Sequence, residues 1–380
     1  MSGVPVAMGA RLRPRLRLLR SGIMRHEPTT LRRAAESDVM WMSRVGSVTL
    51  AALVVAAAAA AELPATMRAA AIDAPGGAEA LTLHTLALPK PAAGEVLIAL
   101  HAAGVASWDV EIRRHPEDLK NSRLPLVLGT DGAGTIAALG AGVHGFKIGE
   151  EVYSYSWDNP QGGFYAEYVA VPAERVGQVP HGLSLTQAGA IGTTALTALQ
   201  GVDDALHIRA GETLIIHGAA GGVGTLAVQF AKLRGARVLA TVSGEDEIAL
   251  VRSLGADAVV DGRHGDIGAA AHEFAPGGID AVLALAGGEA LERCIGTLRK
   301  GGRVAYPSGV RPPPPAHAGA TLTRYDAIAG PREFARLNAA ITQAKLIVPI
   351  AAQYPLAEAA EAQRRLEAGH VPGKIVLQIR

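Results

Sequence analysis

The tightest constraint on this chain lies near its middle, where the strand-like run Thr213 to His217 leads straight into Gly218-Ala219-Ala220-Gly221-Gly222-Val223-Gly224. An apolar helical pattern follows at once, with Leu226, Ala227, Phe230, Ala231 and Leu233 on one face. A strand that turns through glycines into a helix exposes the helix's first N–H groups and its partial positive charge, which suits an anion. Gly221 lets the backbone approach a pyrophosphate, and Gly224 allows close packing of helix on strand. Ala219 stands where the strict fingerprint has its first glycine, so Ala219, Ala220, Gly221, Gly222, Val223 and Gly224 form the candidate dinucleotide loop.

The surrounding pattern alternates strand and helix: strand Arg237 to Val242, helix Ile248 to Leu254, strand Ala258 to Val260, strand Ile279 to Leu285 and strand Gly302 to Tyr306. Alternation of this kind predicts a parallel sheet with helices on both faces, the doubly wound Rossmann arrangement of the α/β class. Upstream, short strands such as Gly94 to Leu100 and Gly149 to Tyr153, separated by Gly and Pro, predict a barrel-like β domain. From Ser184 the apolar positions Leu185, Ala188, Ile191, Ala195 and Leu199 predict one helix. Pro312 to Pro315 read as an extended loop, Gly369 as a helix stop and Lys374 to Ile379 as a closing strand. The expected organisation is an extension at 1–66, a β domain at 67–187 and 331–380, and a nucleotide-binding domain at 188–330.

Charge limits the partners. Across 380 residues, 36 basic and 35 acidic side chains leave a formal charge of +1, mixed along most of the chain. No broad basic surface for nucleic acid is expected, and no stable membrane association, so the partner is a small molecule. Cys294 is the one cysteine, which excludes an intramolecular disulfide and a four-cysteine zinc site; it reads as a buried helix residue.

Eight arginines, Arg11, Arg13, Arg15, Arg17, Arg20, Arg25, Arg32 and Arg33, precede the apolar run Val45 to Ala61. That layout resembles a secretory signal peptide, which implies export; the competing reading starts the protein at Met67. A nicotinamide enzyme depends on cytoplasmic cofactor, so the cytoplasm is the expected compartment.

Strand Arg237 to Val242 ends without the acid that commonly hydrogen-bonds the ribose of NADH. Val242 takes its place, and Ser243 offers a donor for a 2′-phosphate, with Arg263 and Lys374 as basic candidates. NADPH is the expected cofactor. Glu245, Asp246 and Glu247 crowd the same turn and keep NADH as the alternative.

Further runs sharpen the reading: Gly129-Thr130-Asp131-Gly132-Ala133-Gly134, then Gly145-Phe146-Lys147-Ile148-Gly149-Glu150, then Gly162-Gly163-Phe164-Tyr165-Ala166-Glu167-Tyr168-Val169, and the loop from His217 to Gly224. In this order they resemble the quinone oxidoreductase and zeta-crystallin branch of the zinc-free medium-chain dehydrogenases/reductases, over Met67 to Arg380. The resemblance implies a GroES-like catalytic domain, a Rossmann domain, a cleft between them and a homodimer. Zinc-dependent relatives have ligands where this chain has Ala106, Thr130 and Asp131. Alanine offers no ligand and threonine a poor one, so no catalytic zinc is expected. Without a Lewis acid, hydride delivery to a quinone or α,β-unsaturated carbonyl is favoured over alcohol oxidation. An alcohol dehydrogenase of the same fold and a non-catalytic, crystallin-like NADPH-binding protein are the alternatives.

The asparagine common in the family is replaced by Ala106, which leaves Ser107 as the nearest donor, or as a turn cap. Asp109 matches the family's position, either for proton transfer or for holding local backbone. Thr197 matches a nicotinamide-side threonine, or packs its helix. Gly287 and Ser308 follow later strands, where the sheet's carboxyl edge faces cofactor. Tyr153, Tyr155 and Trp157 concentrate rings in a chain that is 4% aromatic, and with Trp108 they are candidates to line a flat acceptor, Tyr153 as part of the catalytic set.

Overall fold

The computed structural model describes residues 63–118, 123–159 and 162–380. The arginine-rich segment, the apolar run Val45 to Ala61 and the cut site expected near its end lie outside the described residues.

The chain enters through β1 (Thr66–Ile72) and β2 (Leu81–Ala87), which pair antiparallel. The long β3 (Glu95–Val105) then leads to the short helix α1 (Ser107–Arg114). Strands β4 (Leu126–Val127), β5 (Asp131–Leu139), β6 (Glu151–Tyr155), β7 (Tyr168–Pro172) and β8 (Val176–Gln178) complete the amino-terminal β region. Close strand crossing explains part of its glycine content. A side chain at Gly134 would lie 2.0 Å from the Ala99 carbonyl oxygen, and one at Gly163 would lie 2.3 Å from that of Leu128.

The helix expected from Ser184 is two helices, α2 (Leu185–Gly189) and α3 (Gly192–Gln200). Ser184 caps the first, its hydroxyl accepting from Gln187 N–H at 3.2 Å while Gln187 reaches back to the Ser184 N–H at 3.0 Å. The apolar spacing survives the break at Ala190 and Ile191 because both short helices lie on the same core.

Strand β9 (Thr213–His217) and helix α4 (Gly222–Leu233) flank the glycine-rich loop. They are followed by β10 (Arg237–Val242), α5 (Glu245–Ser253), β11 (Ala258–Asp261), α6 (Ile267–Phe274) and β12 (Ile279–Ala284). Next come α7 (Glu289–Ile295), β13 (Leu298–Pro307) and β14 (Thr321–Tyr325). The six strands form one sheet in the order β11-β10-β9-β12-β13-β14, with every pairing parallel. Residues of α3 and α4 pack on one face; Ile267 and Ala271 of α6 and Leu291 and Cys294 of α7 pack on the other. This is the doubly wound sheet that the alternating pattern predicts. Cys294 is buried on α7, and burial pushes its thiol up to about 12, so it packs as an apolar residue.

The chain closes with α8 (Pro331–Ala344), β15 (Ile350–Pro355), α9 (Ala359–Glu367) and β16 (Lys374–Gln378). Helix α8 packs on α3 and α4, whereas β16 returns to pair antiparallel with β3. Strands β15-β16-β3-β5-β6-β8 thus share a sheet, with β7 also on β3. Among the described residues no helix is long and apolar enough to cross a membrane.

Candidate active site

The glycine-rich loop takes its shape from contacts that only small residues permit. Gly218 lies in the left-handed region, with φ +81°. A side chain at Gly224 would sit 2.3 Å from the Gly218 carbonyl oxygen, so α4 packs directly on the loop backbone. A side chain at Gly221 would meet only that oxygen, at 3.6 Å, and would otherwise fill open space above the helix start. The N–H groups of Gly222, Val223 and Gly224, in the first turn of α4, have no acceptor within the helix. That open cradle at a helix start fits a pyrophosphate.

The loop also touches the other sheet. The N–H of Gly373, just before β16, donates to the Ala220 carbonyl at 2.8 Å. The next residue, Lys374, is 4% exposed and runs beneath the loop, where a side chain at Gly222 would strike its Cδ at 2.6 Å. Its ammonium donates to the Val105 carbonyl at 3.1 Å and stands 5.8 Å from the centre of the Trp108 ring. Lys374 therefore joins the dinucleotide loop to the turn between β3 and α1.

That turn holds Ala106, Ser107 and Trp108. Ser107 is exposed at the first position of α1. The Trp108 indole N–H donates to the Thr130 hydroxyl at 2.7 Å, which fixes the ring. Below it lie two wholly buried carboxyls. One Asp109 oxygen accepts from the Ala106 N–H and from the Tyr165 hydroxyl, each at 2.9 Å, while the other has no hydrogen-bond partner. Burial, then the charge of Asp131, pushes Asp109 up to about 7. Asp131 accepts from the Thr193 N–H at 2.8 Å; burial raises its pKa and Lys374 opposes the rise. Lys374 is thus the counter-charge of a buried acid pair as well as a loop contact.

Several residues singled out in the sequence stand elsewhere. Tyr153 cannot stack on an acceptor: its ring is fully buried edge-on against Phe334, with centroids 5.1 Å apart, and its hydroxyl donates to Asn338 at 2.7 Å. Asp109 braces the Ala106 turn from inside and has no exposed surface, so it is a positioning residue. The Thr197 hydroxyl is spent on the Thr193 carbonyl at 2.8 Å, one helical turn back. Ala219 is buried and donates its N–H to Thr241 at 3.1 Å, within the sheet. The space a Gly287 side chain would need is taken by the carbonyls of Arg311 and Pro312, at 2.5 and 2.4 Å. The Ser308 hydroxyl donates to Asp326 at 2.6 Å and accepts from Arg324 at 2.7 Å. The hydroxyls of Thr197 and Ser308 and the N–H of Ala219 are thus committed to neighbours in the fold.

Ser243 is a further correction. Its N–H and hydroxyl both donate to Glu247, at 2.7 and 3.1 Å. The free donor on which the expectation of NADPH partly rested is engaged by a carboxylate. Arg263 follows β11 with an exposed side chain, its backbone N–H held by Asp261 at 2.7 Å. Tyr155 is 8% exposed, and burial, then the charges of Asp326 and Asp131, pushes its phenol up to about 12. Trp157 is 43% exposed and borders a shallow depression with Thr130 and Ser156. A larger concavity of about 520 Å³, lined by Val143, Phe146, Phe334 and Asn338, includes none of the cofactor-loop residues.

The donor set does not suit zinc. Ala106 has no ligand atom, the Thr130 hydroxyl is bonded to Trp108, and Asp131 is turned toward the α3 backbone. His217, next to the loop, hydrogen-bonds Thr241 at 2.8 Å, and burial lowers its pKa to about 4, so its ring is neutral in the sheet.

Residues 92–181 match the family model described as an alcohol dehydrogenase GroES-like domain, and residues 222–330 that described as a zinc-binding dehydrogenase. The chain is 33% identical over 317 residues to a quinone oxidoreductase of Sus scrofa, covering 80% of this chain and 94% of that protein. It is 29% identical to a chloroplastic NADPH-dependent alkenal/one oxidoreductase of Arabidopsis thaliana, covering 83% and 81%. Among solved structures, one described as an NAD-dependent alcohol dehydrogenase superposes with a TM-score of 0.76 at 32% identity, covering 83% of this chain and all of that one.

Proposed function

Because the chain belongs to the quinone oxidoreductase family of the medium-chain dehydrogenases/reductases and is an oxidoreductase, we propose that it reduces quinones or α,β-unsaturated carbonyls without zinc. Bound nicotinamide dinucleotide supplies the hydride. The observation that carries the reading is the junction of Gly373 and Lys374 with the glycine-rich loop, which sets an open anion cradle beside Ser107 and Trp108. Gly222, Val223 and Gly224 would hold the pyrophosphate. Trp108, held by Thr130, offers a flat wall for the acceptor.

Acceptors of this class are already electrophilic, so alignment beside the hydride donor accounts for most of the rate, on the order of 7–11 kcal/mol of barrier at best. The Ser107 hydroxyl, or water reaching the same exposed turn, delivers the proton to the reduced oxygen or carbon. The chain works as a homodimer in the cytoplasm, where reduced nicotinamide is supplied.

The test is turnover of chelator-treated protein with a panel of quinones, enones and primary alcohols, using each nicotinamide cofactor. Reduction of quinones or enones that survives chelation is the expected result. Alcohol oxidation that disappears with the metal would overturn it.

A further inference from the structure

The turn after β10 holds a carboxylate whose position was not legible from spacing. Glu247 is 4% exposed, and one of its oxygens accepts both the N–H and the hydroxyl of Ser243, the residue directly after β10. Its other oxygen faces His370 Nδ1 at 3.1 Å, and the second ring nitrogen of His370 faces Asp246 at 3.1 Å. The Glu247 side chain therefore folds back from the first turn of α5 onto the carboxyl end of β10. In a doubly wound sheet that edge reads the adenosine ribose: an acid there accepts from ribose hydroxyls, and basic groups receive a 2′-phosphate.

We propose that Glu247 makes this chain select NADH over NADPH. The inference rests on the reading of the β9–α4 loop as a nicotinamide dinucleotide site. A 2′-phosphate brings a charge of about −1.5 to −2 and three strong acceptor oxygens. It would meet a carboxylate, and the two donors of Ser243, the residue directly after β10, are already bonded to that carboxylate. Charge and donor count both oppose it. A ribose hydroxyl is itself a donor, and the Glu247 oxygen facing His370 keeps a lone pair to accept it. The ion-pair partner of Glu247 is His370 rather than a lysine or arginine, and His370 is shared with Asp246, so the corner stays acidic.

Titration calorimetry on the full chain tests this with four ligands: NADH, NADPH, ADP-ribose and 2′-phospho-ADP-ribose. The expected result is at least about tenfold tighter binding of NADH than of NADPH. In Glu247→Gln that ratio falls by about tenfold, mainly through a gain in NADPH affinity. Equal or tighter NADPH binding by the unaltered chain, or an unchanged ratio in Glu247→Gln, overturns the proposal. Should Glu247→Gln fail to fold by circular dichroism, the unaltered chain decides: weaker binding of 2′-phospho-ADP-ribose than of ADP-ribose upholds the selection, and the reverse overturns it. Failure of the folded chain to bind any of the four removes the dinucleotide reading itself, and the selection with it.

Discussion

The N–H of Gly373 donates to the carbonyl of Ala220 at 2.8 Å, so the strand that closes the seven-stranded sheet is bonded directly to the dinucleotide loop of the six-stranded one. Lys374 follows at once and carries the contact on to Val105. The glycine-rich loop, the buried acid pair and the turn of Ser107 and Trp108 form one connected unit, and substitutions within it separate by what each side chain touches.

The two loop glycines respond differently. Gly221→Val places its side chain in the open cradle, so the protein folds and cofactor affinity falls below detection. Gly224→Ala drives a methyl group into the Gly218 carbonyl and lowers stability by about 1–3 kcal/mol. Thermal unfolding alongside calorimetry distinguishes the two. Unchanged cofactor affinity in Gly221→Val would refute the cradle.

Lys374→Met removes the counter-charge from Asp109 and Asp131. Both carboxyls are already raised by burial, and loss of the ammonium raises them further, so the penalty falls on their charged forms. The cost is smallest near pH 4 and grows toward pH 8, reaching about 3–5 kcal/mol. Unfolding curves at the two pH values check it; an equal loss at both would leave the cation without this role.

Asp109 gives a pH signature of its own. Its pKa is about 7 in the fold against 3.8 in the unfolded chain, so the folded state holds the proton more tightly. The stability this contributes is fully present below 3.8 and is lost as pH rises through about 7. In Asp109→Asn the decline over that window flattens, by up to roughly 3–4 kcal/mol. The amide oxygen still accepts from Ala106 and Tyr165, so the turn is retained. A slope identical to that of the unaltered protein would show that Asp109 does not titrate there.

Tyr153→Phe keeps the edge-on packing against Phe334 and loses the bond to Asn338. Stability drops by about 1–2 kcal/mol while the Michaelis constant for the acceptor is unchanged. A raised Michaelis constant at full stability would return Tyr153 to the substrate site.

Ser107→Ala leaves the turn intact, because Asp109 bonds the Ala106 backbone and not the Ser107 side chain. Since water reaches the same exposed position, turnover falls by less than about a hundredfold. A loss of three decades with cofactor affinity preserved would make Ser107 an essential donor.

What could be read from the sequence follows from how local each signal is. The bounds of β9 and β10 were legible because buried parallel strands are short apolar runs closed by glycine or charge. Helix α6 was not assigned and α7 was legible only around Cys294, since each spans about two turns and its apolar face is completed by the other helix and the sheet. Lys374 was singled out as a cofactor contact, but its second role depends on Asp109 of α1 and Asp131 of β5, more than two hundred residues away. Tyr153 and Tyr155 alternate with Ser154 as in any strand, and periodicity does not say that both rings are buried. The acids after Gly244 were visible as a crowded turn; that Glu247 closes back on Ser243 depends on the start of α5 and on His370, 123 residues beyond it.

The indole of Trp108, pinned to Thr130 and within 5.8 Å of the Lys374 ammonium, gives the protein a built-in optical probe. The sequence has three tryptophans; Trp41 lies outside the described residues and Trp157 is 43% exposed, so Trp108 has the more shielded and more rigid ring of the two described. Its emission overlaps the absorption band of a reduced dihydropyridine ring. Filling of the cradle would be seen as energy transfer from this ring, and that signal would weaken in the Trp108→Phe protein.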